Sequence, residues 1–260
     1  MLNPIKYSRA PFSAVLLHGG PGAAGEMTPV ALELSQHVGV LEPLQTKHTI
    51  GEQVQELHDI LISNTDVPVY LVGYSWGAWL GWIFAATHPE LVKKLILVSS
   101  GPFETKYVQQ MNDTRAARFS EEDKKKLAEL QKLFESPDIK NKDPLFEEFG
   151  AIFSKADSYS PLKHDSADMK IDFDIYNSIW PEAAELRKGG KLLEYADKIT
   201  CPVVAIHGDY DPHPWQGIKE SLEKRLKDFK FHLLEKCGHT PWYETHARDN
   251  FYYLLLDQLH

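Results

Sequence analysis

The sequence predicts an α/β protein whose mostly parallel sheet is covered by helices on both faces. Short aliphatic runs alternate with helical stretches along most of the 260-residue chain. These runs are apolar at almost every position, which is typical of strands buried on both sides. The alternation stops at about residue 102 and resumes at about residue 196. We therefore predict a core of residues 1–101 and 197–260 and a helical cap of residues 102–196, because a bare loop of that length is unusual in a compact domain.

The core elements are predicted in alternating order along the chain. The helix at 49–63 shows the clearest pattern, because its apolar residues recur at helical spacing. The first part of the core contains predicted strands at 14–18, 38–44, 68–74 and 93–100 and helices around 28–37, 49–63 and 76–89. The second part contains predicted strands at 201–208 and 229–235, a helix near 215–226 and a last helix after Pro241.

The predicted cap contains one helix whose start is marked in the sequence. The segment SEEDKKKLAELQKLFE, residues 120–135, begins with Ser120 as the expected N-cap and has Asp123 three residues later. This pattern is typical of a helix start. We expect its lysines to lie on a solvated face rather than to form a binding patch. The rest of the cap is rich in aromatic residues and has no strand-like run.

Composition excludes several classes of protein. The formal net charge is -9, whereas proteins that bind nucleic acids or anionic membranes need a basic face. Two cysteines in the chain fit a reducing compartment better than a disulfide scaffold. The N-terminal segment MLNPIKYSRAPF lacks the apolar part of a signal peptide, and no apolar run approaches the length of a membrane span. We expect a cytoplasmic protein that binds a small molecule and neither nucleic acid nor membrane.

A serine stands between two apolar segments in GYSWG, residues 73–77. A predicted strand ends directly before Ser75, and a predicted helix begins directly after it. The pattern G-x-S-x-G in this context is typical of a sharp turn that exposes a nucleophilic hydroxyl, and the free N–H groups of the helix start favour negative charge there. Side chains at Gly73 and Gly77 would collide with the neighbouring helix or strand. The alternative is an ordinary turn whose serine caps the helix.

A nucleophilic serine requires a base, an acid that orients the base, and donors for the oxyanion. His239 follows the last predicted strand and Asp211 follows the strand before it, so both would meet the serine at the carboxyl edge of the sheet. The chain order Ser, Asp, His is the one expected for this arrangement. The segment HGGPG after the first strand and the N–H of Trp76 would supply donors, each worth about 3 kcal/mol. Asp209 and Glu104 remain alternatives for the acid.

The segment HGDYDPH, residues 207–213, allows a second interpretation. Its H-x-D-x-D-x-H pattern could hold a metal ion, but in an extended chain His207 and His213 would lie about 20 Å apart at roughly 3.3 Å per residue. One ion cannot bridge that distance, so a metal site would require a tight turn. His207 is expected to lie within the strand, which favours Asp211 over Asp209 as the acid. His213 would line the pocket or be exposed.

Four motifs, HGGPG, GYSWGA, HGDYD and CGHTPW, follow one another in the chain, and with them the sequence resembles the α/β-hydrolase superfamily over nearly all of 13–101 and 197–258. The resemblance implies that the insertion is the cap that many members carry after the sixth sheet strand. It also implies that Asp211 is the acid, because it follows the glycine of G-x-x-D, and that Gly20 and Trp76 donate the oxyanion N–H groups.

The resemblance also has consequences for the edge of the sheet. Only about a dozen residues precede the first parallel strand, where the superfamily usually has two more strands. The sheet should therefore be shortened at that edge. An exposed edge strand could pair with a second subunit, so a homodimer is one expected form.

The resemblance implies a serine hydrolase that needs neither a cofactor nor a metal. Ser75 would attack the acyl carbonyl of an ester, thioester, amide or carbon–carbon substrate that is small and partly apolar. HGGPG with a tryptophan directly after the serine is similar to the prolyl aminopeptidase group, in which cap acids hold the substrate amine. A non-catalytic ligand-binding protein on the same fold is the third alternative. No motif assigns the amine-binding role within this cap, whose acids include Asp172, Asp174, Glu182 and Glu185.

Overall fold

The structure, a computed structural model, describes residues 3–163 and 169–259. The strands in chain order are β1 (Ile5–Tyr7), β2 (Phe12–Leu17), β3 (Ala23–Ala24), β4 (Gly39–Glu42), β5 (Val69–Tyr74), β6 (Val92–Val98), β7 (Lys170–Ile171), β8 (Val203–Gly208) and β9 (Phe229–Leu234). The α-helices are α1 (Thr28–Leu34), α2 (Ile50–Asn64), α3 (Trp76–Thr87), α4 (Val108–Arg118), α5 (Glu121–Glu135), α6 (Asp143–Asp157), α7 (Phe173–Lys188), α8 (Lys191–Glu194), α9 (Gln216–Glu223) and α10 (Arg248–Asp257). Every strand and helix predicted for the core is present.

Seven strands form one sheet in the order β1-β4-β2-β5-β6-β8-β9. Strand β1 pairs antiparallel with β4, and the other neighbouring strands pair in parallel. The prediction of a mostly parallel sheet is confirmed. Because the parallel strands point the same way, their carboxyl ends lie at one edge of the sheet, where ligands of such folds bind.

Both faces of the sheet are buried, as the continuous apolar runs predict. Successive side chains of β2 point to opposite faces. Val15 and Leu17 pack in a cluster with the tryptophans of α3, whereas Ala14 and Leu16 pack in a second cluster with Phe251 of α10. All four β2 side chains are fully buried. Helices on both faces therefore hold the strand ends rigidly, which positions the loops at the carboxyl edge.

The N-terminal edge of the sheet carries one short strand before the first parallel strand. Strand β1 has 3 residues, and it places Ile5 opposite Glu42 and Tyr7 opposite Val40 of β4. The Tyr7 hydroxyl also donates to the Glu42 carboxylate at 2.7 Å. Short edge strands limit pairing with other chains. The homodimer stays a prediction.

The chain between β6 and β8 forms helices α4 to α8. The predicted start of α5 is confirmed, because Asp123 N–H donates to Ser120 Oγ at 3.1 Å and Ser120 N–H donates to the Asp123 carboxylate at 3.0 Å. Strand β7 was not expected. It pairs antiparallel with β3 in the glycine-rich loop after β2, and two residues are too few to show an alternating pattern. The boundaries of the cap stay a prediction. In the described part of the chain, no helix is long and apolar enough to cross a membrane.

Candidate active site

Ser75 lies at the junction of β5 and α3, at the carboxyl edge of the sheet. Its backbone has φ 53° and ψ -114°, and positive φ is rare outside glycine and recurs at strained functional turns. Its N–H donates to the carbonyl oxygen of Val98 in β6 at 3.0 Å. Its side chain makes no capping hydrogen bond to α3, so the alternative in which Ser75 caps the helix is wrong.

Two glycines make this turn sterically feasible. A Cβ on Gly73 would lie 2.2 Å from the carbonyl oxygen of Gly77, and a Cβ on Gly77 would lie 2.2 Å from the carbonyl oxygen of Leu17. Both distances are far below van der Waals contact, and the obstructing atoms belong to the backbone. The steric explanation given for these glycines is confirmed. Helix α3 thus lies directly against β5 and the end of β2, which sets the direction of the Ser75 side chain.

His239 and Asp211 reach Ser75 from the loops after two other strands. Ser75 Oγ lies 3.1 Å from His239 Nε2, and His239 Nδ1 lies 2.7 Å from Asp211 Oδ2. A carboxylate accepts only, so His239 carries its proton on Nδ1 and accepts the Ser75 hydroxyl on Nε2. The structure therefore brings together the three side chains that sequence analysis selected.

The two alternative acids are engaged elsewhere. Asp209 Oδ1 accepts the backbone N–H of Cys237 at 3.1 Å, which ties the turn after β8 to the loop after β9. Glu104 accepts the Ser221 hydroxyl at 2.8 Å. Neither carboxylate makes a hydrogen bond to a histidine ring within residues 3–163 and 169–259. Asp211 is the one of the three candidates that contacts the histidine beside the serine.

Asp211 lies buried among three imidazoles. Its Oδ1 accepts the backbone N–H of His213 at 2.9 Å and the Nδ1–H of the same residue at 2.7 Å. His207 Nε2 lies 3.5 Å from Oδ2. Burial by itself would raise the pKa of Asp211, but His239, His213 and His207 outweigh burial and hold that pKa well below its usual range. Asp211 is therefore an anion at neutral pH.

The two histidines that donate to Asp211 have opposite pKa shifts. For His239, burial works to lower the pKa, but the Asp211 carboxylate outweighs burial and raises it above 6.5. Burial lowers the pKa of His213 to about 4, so His213 is neutral. Their rings stack with centroids 4.5 Å apart. His213 is 8% exposed, so of the two alternatives for this residue the exposed one is wrong. Its contact with Asp211 was not predicted.

The glycine-rich loop after β2 lies against the start of α3, since a Cβ on Gly77 would meet the carbonyl oxygen of His18 at 2.6 Å. The loop contains Gly20, with φ 101°, and α3 begins with Trp76. In the described ranges, the backbone N–H groups of Gly20 and Trp76 donate to no other protein group. The N–H of Gly19 differs, because it donates to the Glu26 carboxylate at 3.1 Å.

A buried glutamine holds this loop in place. The backbone N–H of Gln45 donates to His18 Nε2 at 3.2 Å, and its side-chain amide donates to the His18 carbonyl oxygen at 2.9 Å. Its amide oxygen accepts Trp76 Nε1–H at 2.8 Å. Burial lowers the pKa of His18 to about 4, so its ring stays neutral. Gln45 therefore joins the glycine-rich loop to the residue after Ser75, a role that no local sequence pattern signals.

A cavity of about 1010 Å³ opens beside the same loop. Burial raises the pKa of Glu26 in its wall to about 7, so this carboxyl exchanges a proton near neutral pH. A cavity of this size with mostly apolar walls and a few polar groups fits a small-molecule site. The lining comes from the glycine-rich loop, the chain between β6 and β8 and the loop that carries His239, and includes Gly20, Glu26, Phe146, Tyr159, Thr240 and Tyr243.

The helices between β6 and β8 reach the cluster around Asp211 through Arg115 and Asp157. Arg115 on α4 donates from Nε and Nη2 to the two Asp157 oxygens at 2.9 and 2.6 Å. Its Nη2 also lies 3.4 Å from Nε2 of His213. The carbonyl oxygen of Asp157, the last residue of α6, accepts the backbone N–H of His239 at 2.9 Å. Neither residue was predicted from the sequence, because charges on amphipathic helices resemble surface residues until their packing is known.

The same cluster bears on the metal interpretation. The tight turn that a metal site would require is present, since His207 Nε2 donates to the carbonyl oxygen of His213 at 2.8 Å. Ligand atoms of Asp211, His213 and His239 lie within 4.8 Å of one another. An ion held by the carboxylate and both Nδ1 atoms would displace the protons that orient His239 towards Ser75. A metal at this point and a serine–histidine pair are therefore mutually exclusive.

The chain matches known proteins along most of its length. Residues 42–244 match the family model described as the alpha/beta hydrolase fold. Proline iminopeptidase from Lactobacillus helveticus is 25% identical over 278 residues, covering 88% of this chain and 84% of that protein. The structure of proline iminopeptidase from Mycobacterium smegmatis has a TM-score of 0.66 at 16% identity and covers 99% of this chain and 93% of that chain. The structure of the enol-lactonase from Burkholderia xenovorans LB400 has a TM-score of 0.62 at 16% identity and covers 98% of this chain and 94% of that chain. The chain belongs to the α/β-hydrolase fold family, and it is a hydrolase.

Proposed function

We propose that this hydrolase uses Ser75 as its nucleophile, His239 as its base and Asp211 as the acid that orients the base. The observation that carries the proposal is the continuous path from Ser75 Oγ through His239 to Asp211, with steps of 3.1 and 2.7 Å. A serine hydroxyl is a weak nucleophile, and a base within hydrogen-bond reach that is itself oriented by a carboxylate activates it.

The reaction begins when Ser75 Oγ attacks the acyl carbonyl carbon and its proton passes to His239 Nε2. The carbonyl oxygen becomes an oxyanion, which the N–H groups of Gly20 and Trp76 stabilise. Collapse of this intermediate breaks the bond to the leaving group, which takes the proton from His239. Water then attacks the acyl-enzyme, gives its proton to His239 and releases the acid, while the proton returns to Ser75. Asp211 stays ionised and stabilises the imidazolium.

The substrate we propose is a small, partly apolar acyl compound, which means an ester, thioester, amide or carbon–carbon bond adjacent to a carbonyl. These bonds share the acyl-enzyme step, so one triad serves all of them. The support is the cavity of about 1010 Å³ beside Gly20, whose walls combine apolar residues, among them Phe146 and Ile171, with polar and charged ones such as Glu26. Such a cavity buries an apolar substituent while leaving the carbonyl at the oxyanion donors.

An aminopeptidase of the prolyl iminopeptidase type is the second candidate, and the 25% identity to the Lactobacillus helveticus enzyme favours it. An aminopeptidase needs a carboxylate that is free to hold the substrate amine. Asp172 caps α7 instead, Glu182 accepts a backbone N–H of α2 at 2.9 Å, and Glu185 pairs with a lysine of its own helix. Asp174 is exposed. None of these four acids lines the cavity beside Gly20, whereas Glu26 and Glu147 do, so an amine site in that cavity would have to use one of these two carboxyls.

The experiment compares the native protein with Ser75→Ala at neutral pH on nitrophenyl acetate and butyrate and on prolyl and alanyl nitroanilides. We expect turnover of an ester that depends on Ser75. Turnover of the prolyl anilide at a kcat/KM above about 10⁴ M⁻¹s⁻¹ would replace the first candidate by the second. A fluorophosphonate probe should add one phosphonyl group to Ser75. Folded protein that neither turns over an ester nor reacts with the probe would overturn the proposal that Ser75 is the nucleophile.

A further inference from the structure

We propose that Arg115 and His213 are positioning residues of this site: Arg115 orients the His213 ring, and His213 in turn holds Asp211 in line with His239. The inference rests on the proposed function, because both residues act through Asp211. It goes beyond that function because a side chain of α4, a helix outside the loops that follow the strands, helps to activate Ser75.

The hydrogen-bond roles of His213 are determined by counting protons. Its Nδ1 lies 2.7 Å from Asp211 Oδ1, so the proton of the neutral ring is on Nδ1 and Nε2 can only accept. Arg115 Nη2 lies 3.4 Å from that Nε2. An Nη2 group has two hydrogens, and here one points to Asp157 and the other to His213. The ring is therefore held at both nitrogens, and it cannot flip without losing both contacts.

Arg115 is itself held firmly. Its guanidinium makes a two-point contact with Asp157 at 2.9 and 2.6 Å, and its Cζ lies 5.1 Å from the centroid of the Phe153 ring. The side chains of Arg115 and Asp157 are only 15% and 5% exposed. A two-point pair with low exposure fixes the direction of the remaining N–H bonds. One of these is the bond that faces His213.

The contacts of His213 fix the orientation of the Asp211 carboxylate. Two donors from His213 converge on Oδ1, which leaves Oδ2 directed at His239. The His213 ring also stacks on the His239 ring. Neither Arg115 nor His213 lines the cavity beside Gly20, so their loss should slow the chemical step without weakening substrate binding.

Hydrogen bonds from main-chain N–H groups to one carboxylate join the segment after α6 to the loop of His239. The Glu244 carboxylate accepts the N–H groups of Gly238, Tyr159 and Ser160 at 2.9, 2.7 and 2.7 Å. A Cβ on Gly238 would lie 2.2 Å from the carbonyl oxygen of Asp157. The segment after α6 is thus packed against the histidine loop, which keeps Arg115 within reach of His213.

The experiment uses Arg115→Gln, His213→Phe and the double variant, with Arg118→Gln as the matched control. Arg118 lies on the same helix, donates to the carbonyl oxygen of Ala156 at 3.0 Å and lies 3.6 Å from the centroid of the Tyr210 ring. Its loss should loosen the same packing without touching the imidazoles. The readouts are the second-order rate of Ser75 labelling by a fluorophosphonate, kcat and KM on nitrophenyl butyrate, and Tm.

We expect each single variant to lower kcat and the labelling rate by roughly tenfold to a hundredfold, the effect of losing a hydrogen bond to a charged group, with KM unchanged. The double variant should be no slower than the slower single variant, since Arg115 acts through His213. Arg118→Gln should lower Tm but label at the native rate.

The inference is overturned if Arg115→Gln labels at the native rate, or if the single effects multiply in the double variant. It is also overturned if Arg118→Gln slows labelling as much as Arg115→Gln at the same Tm, because the effect would then be one of packing. If His213→Phe does not fold, the comparison of Arg115→Gln with Arg118→Gln decides alone. Failure of the proposed function would be distinct, because the native protein itself would not be labelled.

Discussion

Replacing Asp211 by asparagine tests the proton arrangement on which the proposed mechanism depends. The asparagine side chain has nearly the same shape, but only one of its two terminal atoms accepts hydrogen bonds. Two donors of His213 converge on Oδ1, at 2.9 and 2.7 Å. The amide oxygen should therefore take that position, and the amide nitrogen should take the position of Oδ2, which lies 2.7 Å from His239 Nδ1.

This exchange puts two donors face to face, so His239 must move its proton from Nδ1 to Nε2. A protonated Nε2 cannot accept the Ser75 proton, although all three side chains stay in place. The wrong tautomer in a serine–histidine–aspartate site lowers kcat by about 10⁴, which corresponds to about 5.5 kcal/mol of transition-state stabilisation at 1.36 kcal/mol per factor of ten.

The assay measures kcat on nitrophenyl butyrate and the rate of fluorophosphonate labelling at pH 7 for Asp211→Asn and for the matched control Asp209→Asn. Asp209 accepts a backbone N–H at 3.1 Å, a role that an amide oxygen can keep, so the control should retain most of the native rate. The reasoning is refuted if Asp211→Asn keeps more than about a tenth of the native rate, since the tautomer argument requires about 10⁴. A loss of rate in Asp209→Asn that is larger than the loss in Asp211→Asn would also refute the tautomer argument.

The acid limb of kcat/KM should lie at a higher pH than an ordinary histidine would give, because His239 must be neutral to act as a base. Burial works to lower the pKa of His239, but the Asp211 carboxylate outweighs burial and raises it. Arg115→Gln should move the acid limb to higher pH, since the Arg115 cation lowers the pKa of His239, and Asp157→Asn should move it to lower pH, since the Asp157 anion raises that pKa. Acid limbs that shift in the same direction in both variants would contradict this. Gly73→Ala should lower the free energy of unfolding by about 1–3 kcal/mol or more, because its Cβ would lie 2.2 Å from a backbone oxygen of α3. Gly51→Ala in α2, where a Cβ meets nothing within 4 Å, should raise the free energy of unfolding by about 0.5–1 kcal/mol. Urea titration measures the free energy of unfolding of both variants, and equal changes would argue against the steric explanation. Dialysis against EDTA should leave the labelling rate unchanged, and a loss that only added zinc reverses would support a metal site instead.

The strand and helix order of the core and the positions of Ser75, Asp211 and His239 could all be predicted from the sequence. The reason is local: a strand buried on both faces must be apolar throughout, and a sharp turn between strand and helix needs glycines where Gly73 and Gly77 stand. In a parallel sheet the residues that follow successive strands share one edge. The meeting of distant side chains at that edge therefore follows from strand order alone.

The partners of these side chains were decided by the tertiary structure. Arg115 and Asp157 have the pattern of charged residues on amphipathic helices, Gln45 lies in a segment without a motif, and His213 could equally have been exposed. A helical pattern determines which face of a helix is buried, but it carries no information about the element that the face meets or the angle of contact. The packing angle sets the donor–acceptor distances around Asp211, and a hydrogen bond is lost when such a distance changes by a fraction of an ångström. Only the packed chain therefore determines these hydrogen bonds.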